Sequence, residues 1–237
     1  MRSELIKIRA LPTPRWLLFS MGIFLILGIA ASVIWGVGED GIVIDLAIGF
    51  PAIVCSLLFG TWVFGLEFGQ NTLRRVVAAR PSRIALIGNK VAAMALTLTA
   101  ATVVVLLLGI LLFGLAGMGH ERSFDLDDVT RAGLSIIVAN LIYGITAMSL
   151  TMLTRSMAGG VTVSLVMFFV VNFGLVFVPV VGDYTLGVVM IDVTDSIRGI
   201  DGGETTNPLG ISLLVLCGWL ALFFAAGAYR TVRQEVR

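Results

Sequence analysis

The sequence of 237 residues has little charge for its length. Only 13% of the residues are Asp, Glu, Lys or Arg, whereas soluble domains carry roughly 25%. Sixteen basic residues against fifteen acidic ones give a net charge of +1, which argues against nucleic acid as a partner. By contrast, 58% of the residues are hydrophobic and the mean hydropathy is +1.02. This composition excludes an ordinary water-soluble domain and predicts a chain whose first partner is membrane lipid.

Several kinds of chemistry lack the side chains that they need. One histidine, His120, leaves no ligand set for haem or zinc. Cys55 and Cys217 lie in apolar stretches, where we expect packed side chains and no disulfide. No Gly-x-x-x-x-Gly-Lys-Ser/Thr phosphate-binding loop occurs. We therefore expect that the chain is not an enzyme by itself and holds no cofactor or metal ion.

Six long apolar runs predict six transmembrane helices. A helix needs about 20 apolar residues to cross the bilayer core, which is about 30 Å thick. Each run is almost free of charge in its middle, and the runs cover residues 16–37, 42–66, 91–118, 132–153, 161–181 and 209–228. The sequence thus predicts an all-α polytopic membrane protein with a single domain over residues 1–237.

The distribution of Lys and Arg predicts the orientation of the spans. If both termini are cytoplasmic, thirteen of the sixteen basic residues lie on the inner side and twelve of the fifteen acids lie outside. Cytoplasmic loops carry an excess of Lys and Arg. We therefore expect a multi-pass protein of the cell membrane with both termini in the cytoplasm.

Two segments outside the spans carry apolar residues among charged ones. Residues 1–15 predict a short amphipathic elbow helix that stops at Pro12 and Pro14, although a merely positive topogenic tail is the alternative. Residues 182–208 predict an extracytoplasmic loop, part of which folds back onto or into the membrane before span six. The alternative for this loop is a solvated segment with an apolar patch that packs on the ends of the spans.

The cytoplasmic loop over residues 67–90 is rich in arginine. Apolar residues at helical spacing from Leu73 predict a short amphipathic helix that ends at Pro81. Ser82 then caps a second helix that runs through Lys90. This helix, break and helix suit either a docking surface for a protein or a basic patch that faces lipid headgroups.

Polarity within the spans is neutral. Asn140, Asn172 and Thr102 are candidates for a substrate path, but interhelical hydrogen bonds of about 0.6 kcal/mol each explain them equally well. No acidic residue lies deep within a span, which argues against a coupling-ion site.

Nearly the whole chain resembles the permease subunits of ABC transporters, in their type-2, exporter-like branch. Residues 4–9 (ELIKIR) look like the opening of the elbow in that family. The most specific match is the loop, where residues 65–68 (GLEF), 71–74 (NTLR) and 81–83 (PSR) with Lys90 are similar to the family's coupling segment. Residues 154–156 (TRS) and 159–160 (GG) are a weaker match.

The resemblance implies a mechanism and partners. The 67–90 loop would be a coupling helix in a groove of a separate ATP-binding subunit, which binds ATP and Mg. The segment before span six would carry re-entrant helices. Two copies of the chain, or the chain with a similar permease, would assemble in a prokaryotic cell membrane. The residues expected to contact or orient the ATP-binding subunit are Glu67, Arg74, Arg75, Pro81, Arg83 and Lys90.

Two other classes of function remain open at this point. One is an ion-coupled secondary transporter or a channel, and the other is a membrane anchor that holds a cytosolic partner without transport. The sequence does not specify a cargo, since lipid, peptide, amphiphilic drug and sugar polymer all suit apolar spans.

Overall fold

A computed structural model of the chain describes residues 2–35, 49–70, 82–116, 126–199 and 206–233. All the regular secondary structure within these ranges is helical. The helices are α1 (Arg2–Ala10), α2 (Pro12–Trp35), α3 (Phe50–Gly69), α4 (Arg83–Ala116), α5 (Leu126–Thr154), α6 (Met157–Val166), α7 (Asn172–Leu175), α8 (Leu186–Arg198) and α9 (Leu209–Arg233). A π-helical turn, Met167–Val171, joins α6 to α7, and a 3-10 turn, Gly182–Tyr184, precedes α8.

Within the described ranges, α3, α4, α5 and α9 are long and apolar enough to cross a membrane. The number rises to five if α1 and α2, which are bent by 72° at their junction, count as one span. The class predicted from the sequence, a helical membrane protein, agrees with these helices. The first and fifth of the six predicted spans, which correspond to α2 and to α6 with α7, are not among the four.

The prolines near the start of the chain open the second helix. The first helix stops before Pro12, as the sequence predicts, but the second helix begins at Pro12 and not near Trp16. Helix α1 ends at Ala10, but Pro12 and Pro14 belong to the first turn of α2. Proline is tolerated there because the first amides of a helix have no intrahelical acceptor. The Arg15 guanidinium donates hydrogen bonds to the carbonyls of Ala10 at 2.9 Å and Leu11 at 3.3 Å. Carbonyl groups at the end of α1 are thus satisfied across the bend.

Helix α5 is the centre of the bundle, and it packs against α3, α4, α6, α8 and α9. The α3 and α5 backbones come so close that a Cβ on Gly60 would collide with the carbonyl oxygen of Gly144. On the other side of α5, a Cβ on Gly227 of α9 would lie 2.7 Å from the carbonyl oxygen of Ser149. Small residues thus let both helices approach the central one closely.

The predicted extracytoplasmic loop, residues 182–208, contains a helix that packs on the bundle. Thr185 caps α8 by accepting a hydrogen bond from the Val188 amide, and Gly199 ends it in the left-handed conformation with φ 72°. The apolar residues at spacing i, i+3, i+4 and i+7 are buried against α5 and α9: Leu186, Val189, Met190 and Val193. This packing explains why the segment is apolar despite its acids.

The ends of the predicted coupling loop are described, but its middle is not. Helix α3 ends at Gly69, and α4 begins at Arg83. The Ser82 hydroxyl accepts a hydrogen bond from the Ala85 amide at 3.3 Å, which confirms the predicted cap. Arg74, Arg75 and Pro81, together with the first predicted helix of the loop, lie outside the described residues.

Candidate functional site

Four charged side chains from three helices meet where α3 leads into the predicted coupling loop, residues 67–90, and α4 leads out of it. Glu4 and Lys7 come from α1, Glu67 comes from the last turn of α3, and Lys90 comes from the beginning of α4. The Lys7 ammonium lies 3.2 Å from Glu4 Oε1 and 3.1 Å from Glu67 Oε1. The Lys90 ammonium lies 3.2 Å from Glu4 Oε2 and 3.0 Å from Glu67 Oε1. Each cation thus contacts both carboxylates, and we call this set the ion network.

The ion network is largely removed from solvent. Lys90 and Glu67 are each 1% exposed and Glu4 is 7% exposed, whereas the Lys7 side chain keeps 34% of its surface. Burying single charges is expensive, so a buried network must balance its charges. Two ammonium groups and two carboxylates achieve this balance.

Lys90 has two further partners in α3. Its ammonium donates to the carbonyl of Val63 at 2.8 Å and lies 5.0 Å from the centre of the Phe64 ring. The second oxygen of Glu67, Oε2, is buried and accepts no hydrogen bond. Lys90 is therefore the member with the most complete set of partners, and it fixes the start of α4 to the last turns of α3.

The two members on α1 have shifted pKa values. Burial tends to raise the pKa of Glu4, but the positive charges of Lys90 and Lys7 outweigh this effect, and the pKa is lowered. For Lys7, burial tends to lower the pKa, but its hydrogen bond to Glu67 and the charges of Glu67 and Glu4 raise it. Both shifts favour the charged forms.

The inward face of α1 carries both charged and apolar residues. Glu4 and Ile8 face the bundle and are 7% and 8% exposed, whereas Ile6 is 66% exposed. Glu4 and Lys7 therefore attach α1 to α3 and α4 together with the apolar contacts of Ile8.

The structure brings together two of the six residues predicted to contact an ATP-binding subunit. Glu67 and Lys90 lie side by side but are buried among side chains of their own chain. Burial leaves neither residue any surface for direct contact with a partner subunit. Of the two expected roles, contact and orientation, only orientation remains open for them. Arg83 is the first residue of α4.

Sequence reasoning missed Glu4 and Lys7 as members of this site. The available signal was an acid and a base three residues apart on a predicted amphipathic helix. A second acid and base, Glu67 and Lys90, end the loop and were already singled out.

The residues predicted for a substrate path separate into two interhelical contacts. Asn140 of α5 donates to the Thr102 hydroxyl of α4 at 3.0 Å. Asn172 of α7 accepts from the Gly187 amide of α8 at 3.2 Å. The alternative explanation, hydrogen bonds between helices, therefore accounts for all three residues. Each asparagine also has one buried amide atom without a partner, Oδ1 of Asn140 and Nδ2 of Asn172.

A cavity of about 380 Å³ lies between α3, α5 and α8. It is mostly apolar, and its polar residues include Tyr143, Ser135 and Arg198. Arg198 donates through Nε to the Ser135 hydroxyl at 3.0 Å. Asn140, Asn172 and Thr102 do not line this cavity.

Asp192 is a second buried acid that sequence reasoning did not single out. It lies on α8, is 2% exposed, and receives hydrogen bonds from the residues that lead into α9. The donors are the Thr206 amide at 2.9 Å, the Asn207 amide and side chain at 3.2 Å each, and the Ser212 hydroxyl at 2.9 Å. The carboxylate thus joins α8 to the beginning of α9.

Comparisons with known proteins add no assignment. No protein-family model matches the sequence, and a search of curated proteins gives no significant match.

Proposed function

We propose that the chain is the membrane-spanning permease subunit of an ATP-driven ABC transporter of the exporter-like type. The 67–90 loop couples it to a separate ATP-binding subunit, which supplies ATP and Mg. Two permease chains, identical or similar, complete the transporter. Nucleotide-driven closure of the ATP-binding subunits displaces the loop and shifts the helices between inward-open and outward-open states.

The observation that carries this proposal is the ion network. A coupling loop transmits a displacement only if its ends are anchored firmly in the helices that must move. Glu67 and Lys90 bracket the loop at a separation of 3.0 Å, and Glu4 and Lys7 extend the anchor to α1. Movement of the loop would therefore displace α1, α3 and α4 together.

The proposal assigns six spans with both ends of the chain in the cytoplasm. They are α2, α3, α4, α5, the α6–α7 segment and α9, with α1 as the elbow and α8 as a re-entrant helix. The α6–α7 segment, including its π-helical turn, covers about 19 residues, or about 28 Å at about 1.5 Å per residue. This length nearly matches the bilayer core. The cavity between α3, α5 and α8 is the proposed cargo-contacting surface.

The test is to purify the tagged full-length chain from its native membrane in mild detergent. We expect a copurifying protein that carries a Gly-x-x-x-x-Gly-Lys-Ser/Thr loop, and ATP hydrolysis by the complex. In the variant Arg74→Glu with Arg75→Glu, copurification should fall at least tenfold, because two positive charges of the 67–90 loop are reversed.

Arg131→Glu is the matched control, because Arg131 is an exposed arginine near the beginning of α5 and lies outside the 67–90 loop. It should leave copurification unchanged. Transport by the isolated chain in proteoliposomes, driven by an ion gradient without ATP, would contradict the proposal and favour a secondary transporter. A stable partner without ATPase activity would favour the membrane anchor.

A further inference from the structure

Three arginines surround a cavity at the end of the bundle where α5 meets α6 and α9 ends. The cavity measures about 400 Å³ and is lined by Leu153, Arg155, Ala226, Tyr229, Arg230 and Arg233. We call it the arginine pocket. It is separate from the ion network, whose members do not line it.

Two of the guanidinium groups are held in place by main-chain carbonyls. Arg230 donates through Nη1 to the Leu153 carbonyl, near the end of α5. Arg155 donates through Nη2 to the Arg230 carbonyl at 3.3 Å. Arg155 lies between α5 and α6 with φ 56°, a left-handed conformation that is uncommon for residues other than glycine. The junction of α5, α6 and α9 therefore positions both guanidinium groups at the pocket.

The arginine pocket has positive charge but no counter-charge among the described residues that line it. Its lining includes no carboxylate, and Arg155 Nε is a buried donor without an acceptor. The Arg233 guanidinium lies 4.6 Å from the centre of the Tyr229 ring, a cation-π contact that leaves its N–H groups available at the edge. Three cations with this geometry favour an anionic ligand that accepts several hydrogen bonds.

An apolar stripe on α9 leads directly into the pocket. Leu222, Ala226, Tyr229 and Arg233 follow the spacing i, i+4, i+7 and i+11, which places them on one face of the helix. Leu222 is 59% exposed and Tyr229 is 58% exposed. One turn before Leu222, a Cβ on Gly218 would meet no atom within 4 Å. The stripe is thus an uncovered track that ends at the three arginines.

We propose that the arginine pocket binds the phosphate group of an anionic phospholipid, whose acyl chain lies along the α9 stripe. Guanidinium groups bind phosphate oxygens in a bidentate manner, and basic pockets at the ends of membrane helices suit such headgroups. The combination of an apolar track and a cationic end favours a lipid over a free phosphate or an acidic protein. This proposal requires only that the chain is embedded in a membrane, so it does not depend on the proposed transport function.

The test measures lipid binding to the delipidated full-length chain in dodecyl maltoside by native mass spectrometry. Phosphatidylglycerol and phosphatidylcholine serve as probes, because they differ in headgroup charge. We expect one phosphatidylglycerol molecule to bind at least tenfold more tightly than phosphatidylcholine. Millimolar inorganic phosphate should not displace it, because phosphate lacks the acyl chain.

Arg233→Gln is the decisive variant, because the described contact of Arg233 is with the Tyr229 ring and its loss should leave the fold intact. It should weaken phosphatidylglycerol binding about tenfold, and Leu222→Ser should also weaken it. Arg131→Gln, a control at the opposite end of α5, should not. Arg230→Lys keeps the positive charge but removes the bidentate guanidinium group. We therefore expect an intermediate loss of phosphatidylglycerol affinity.

Three kinds of result would overturn the proposal. The first is a lack of specificity, seen as equal affinity for the two lipids or as unchanged affinity in Arg233→Gln. The second is complete displacement by inorganic phosphate, which would identify a free-phosphate site. The third is loss of a copurifying protein in Arg233→Gln with lipid affinity unchanged, which would identify a protein-docking surface.

Discussion

The ammonium group of Lys90 lies 3.0 Å from Oε1 of Glu67, and both residues are 1% exposed. Glu67 lies in the last turn of α3, and Lys90 lies about two turns after the start of α4, on the other side of the predicted coupling loop. Their pairing means that α3 and α4 are joined by buried charges at the base of that loop.

We expect Lys90→Met to be the most destabilising single change in the ion network. It leaves the buried carboxylates of Glu4 and Glu67 with Lys7 alone, and breaking a buried pair costs about 3–5 kcal/mol. The double variant Lys90→Met with Glu67→Gln should be more stable than the sum of the single effects predicts, by about 0.5–3 kcal/mol. The free energy of unfolding in mixed micelles of dodecyl maltoside and dodecyl sulfate measures both effects.

Arg131→Gln provides the comparison for this cycle, since it removes an exposed ion pair with Asp127 at 2.8 Å. Exposed pairs contribute about 0.2–1 kcal/mol. Strict additivity of the two network substitutions would show that Lys90 and Glu67 are not energetically coupled.

The attachment of α1 should weaken at both extremes of pH. The lowered pKa of Glu4 means that its contribution is complete above the ordinary Glu pKa of about 4.3 and is lost as pH falls through the lower folded value. The raised pKa of Lys7 means that its contribution is complete below the ordinary Lys pKa of about 10.4 and is lost as pH rises through the higher folded value. Between these limits the attachment should not depend on pH.

Spin labels at Ile6 and Ile84 provide the measurement, because these residues of α1 and α4 are 66% and 75% exposed. In a background without Cys55 and Cys217, the distance distribution between the labels should broaden below about pH 4. A label pair at Leu134 and Leu214, on α5 and α9, is the control and should not change. A distribution for α1 and α4 that stays narrow at low pH would show that Glu4 does not hold α1.

Gly60→Ala should be strongly destabilising, although it adds a single methyl group. The added Cβ would collide with the Gly144 carbonyl oxygen in the backbone of α5, so the two helices must separate. Overpacking of this kind costs about 1–3 kcal/mol. Gly69→Ala, on the same helix, meets no atom within 4 Å and should be close to neutral. Equal thermal midpoints for the two variants would contradict the close crossing of α3 and α5.

Asp192→Ala should detach α8 from the start of α9. It removes the common acceptor of the Thr206, Asn207 and Ser212 hydrogen bonds, and each buried donor left without an acceptor costs about 1–3 kcal/mol. Asp183→Ala, at an exposed position before α8, should change stability by at most about 0.5 kcal/mol. Hydrogen exchange of the α8 amides checks the difference. Unchanged protection in Asp192→Ala would show that the carboxylate does not hold the two helices together.

The sequence predicts the features of this fold that depend on composition and on local signals. Apolar runs identify the helices that became α3, α4, α5 and α9, and the hydroxyl of Ser82 predicts the start of α4. The break before Pro12 is also predicted, but not the continuation of α2 through Pro14. Proline is tolerated in the first turn of a helix because the amides there have no intrahelical acceptor. The sequence alone does not show where that first turn lies.

The candidate site is only half visible in the sequence, because burial of a charge depends on partners that are distant along the chain. Glu67 and Lys90 attract attention through their place in the loop, but nothing local indicates that Glu4 joins them from a helix 86 residues before Lys90. Asp192 is hidden for the same reason, since its donors belong to the approach to α9. The close pair of Gly60 and Gly144 is hidden as well, because its two residues lie on different helices.

The inward charges of α1 also set an order for biosynthesis. Chains emerge from the ribosome with the amino end first, so Glu4 and Lys7 are made long before Glu67 and Lys90. The full set of charged partners for α1 is therefore absent until the beginning of α4 has been translated, so complete docking of α1 follows the synthesis of both α3 and α4.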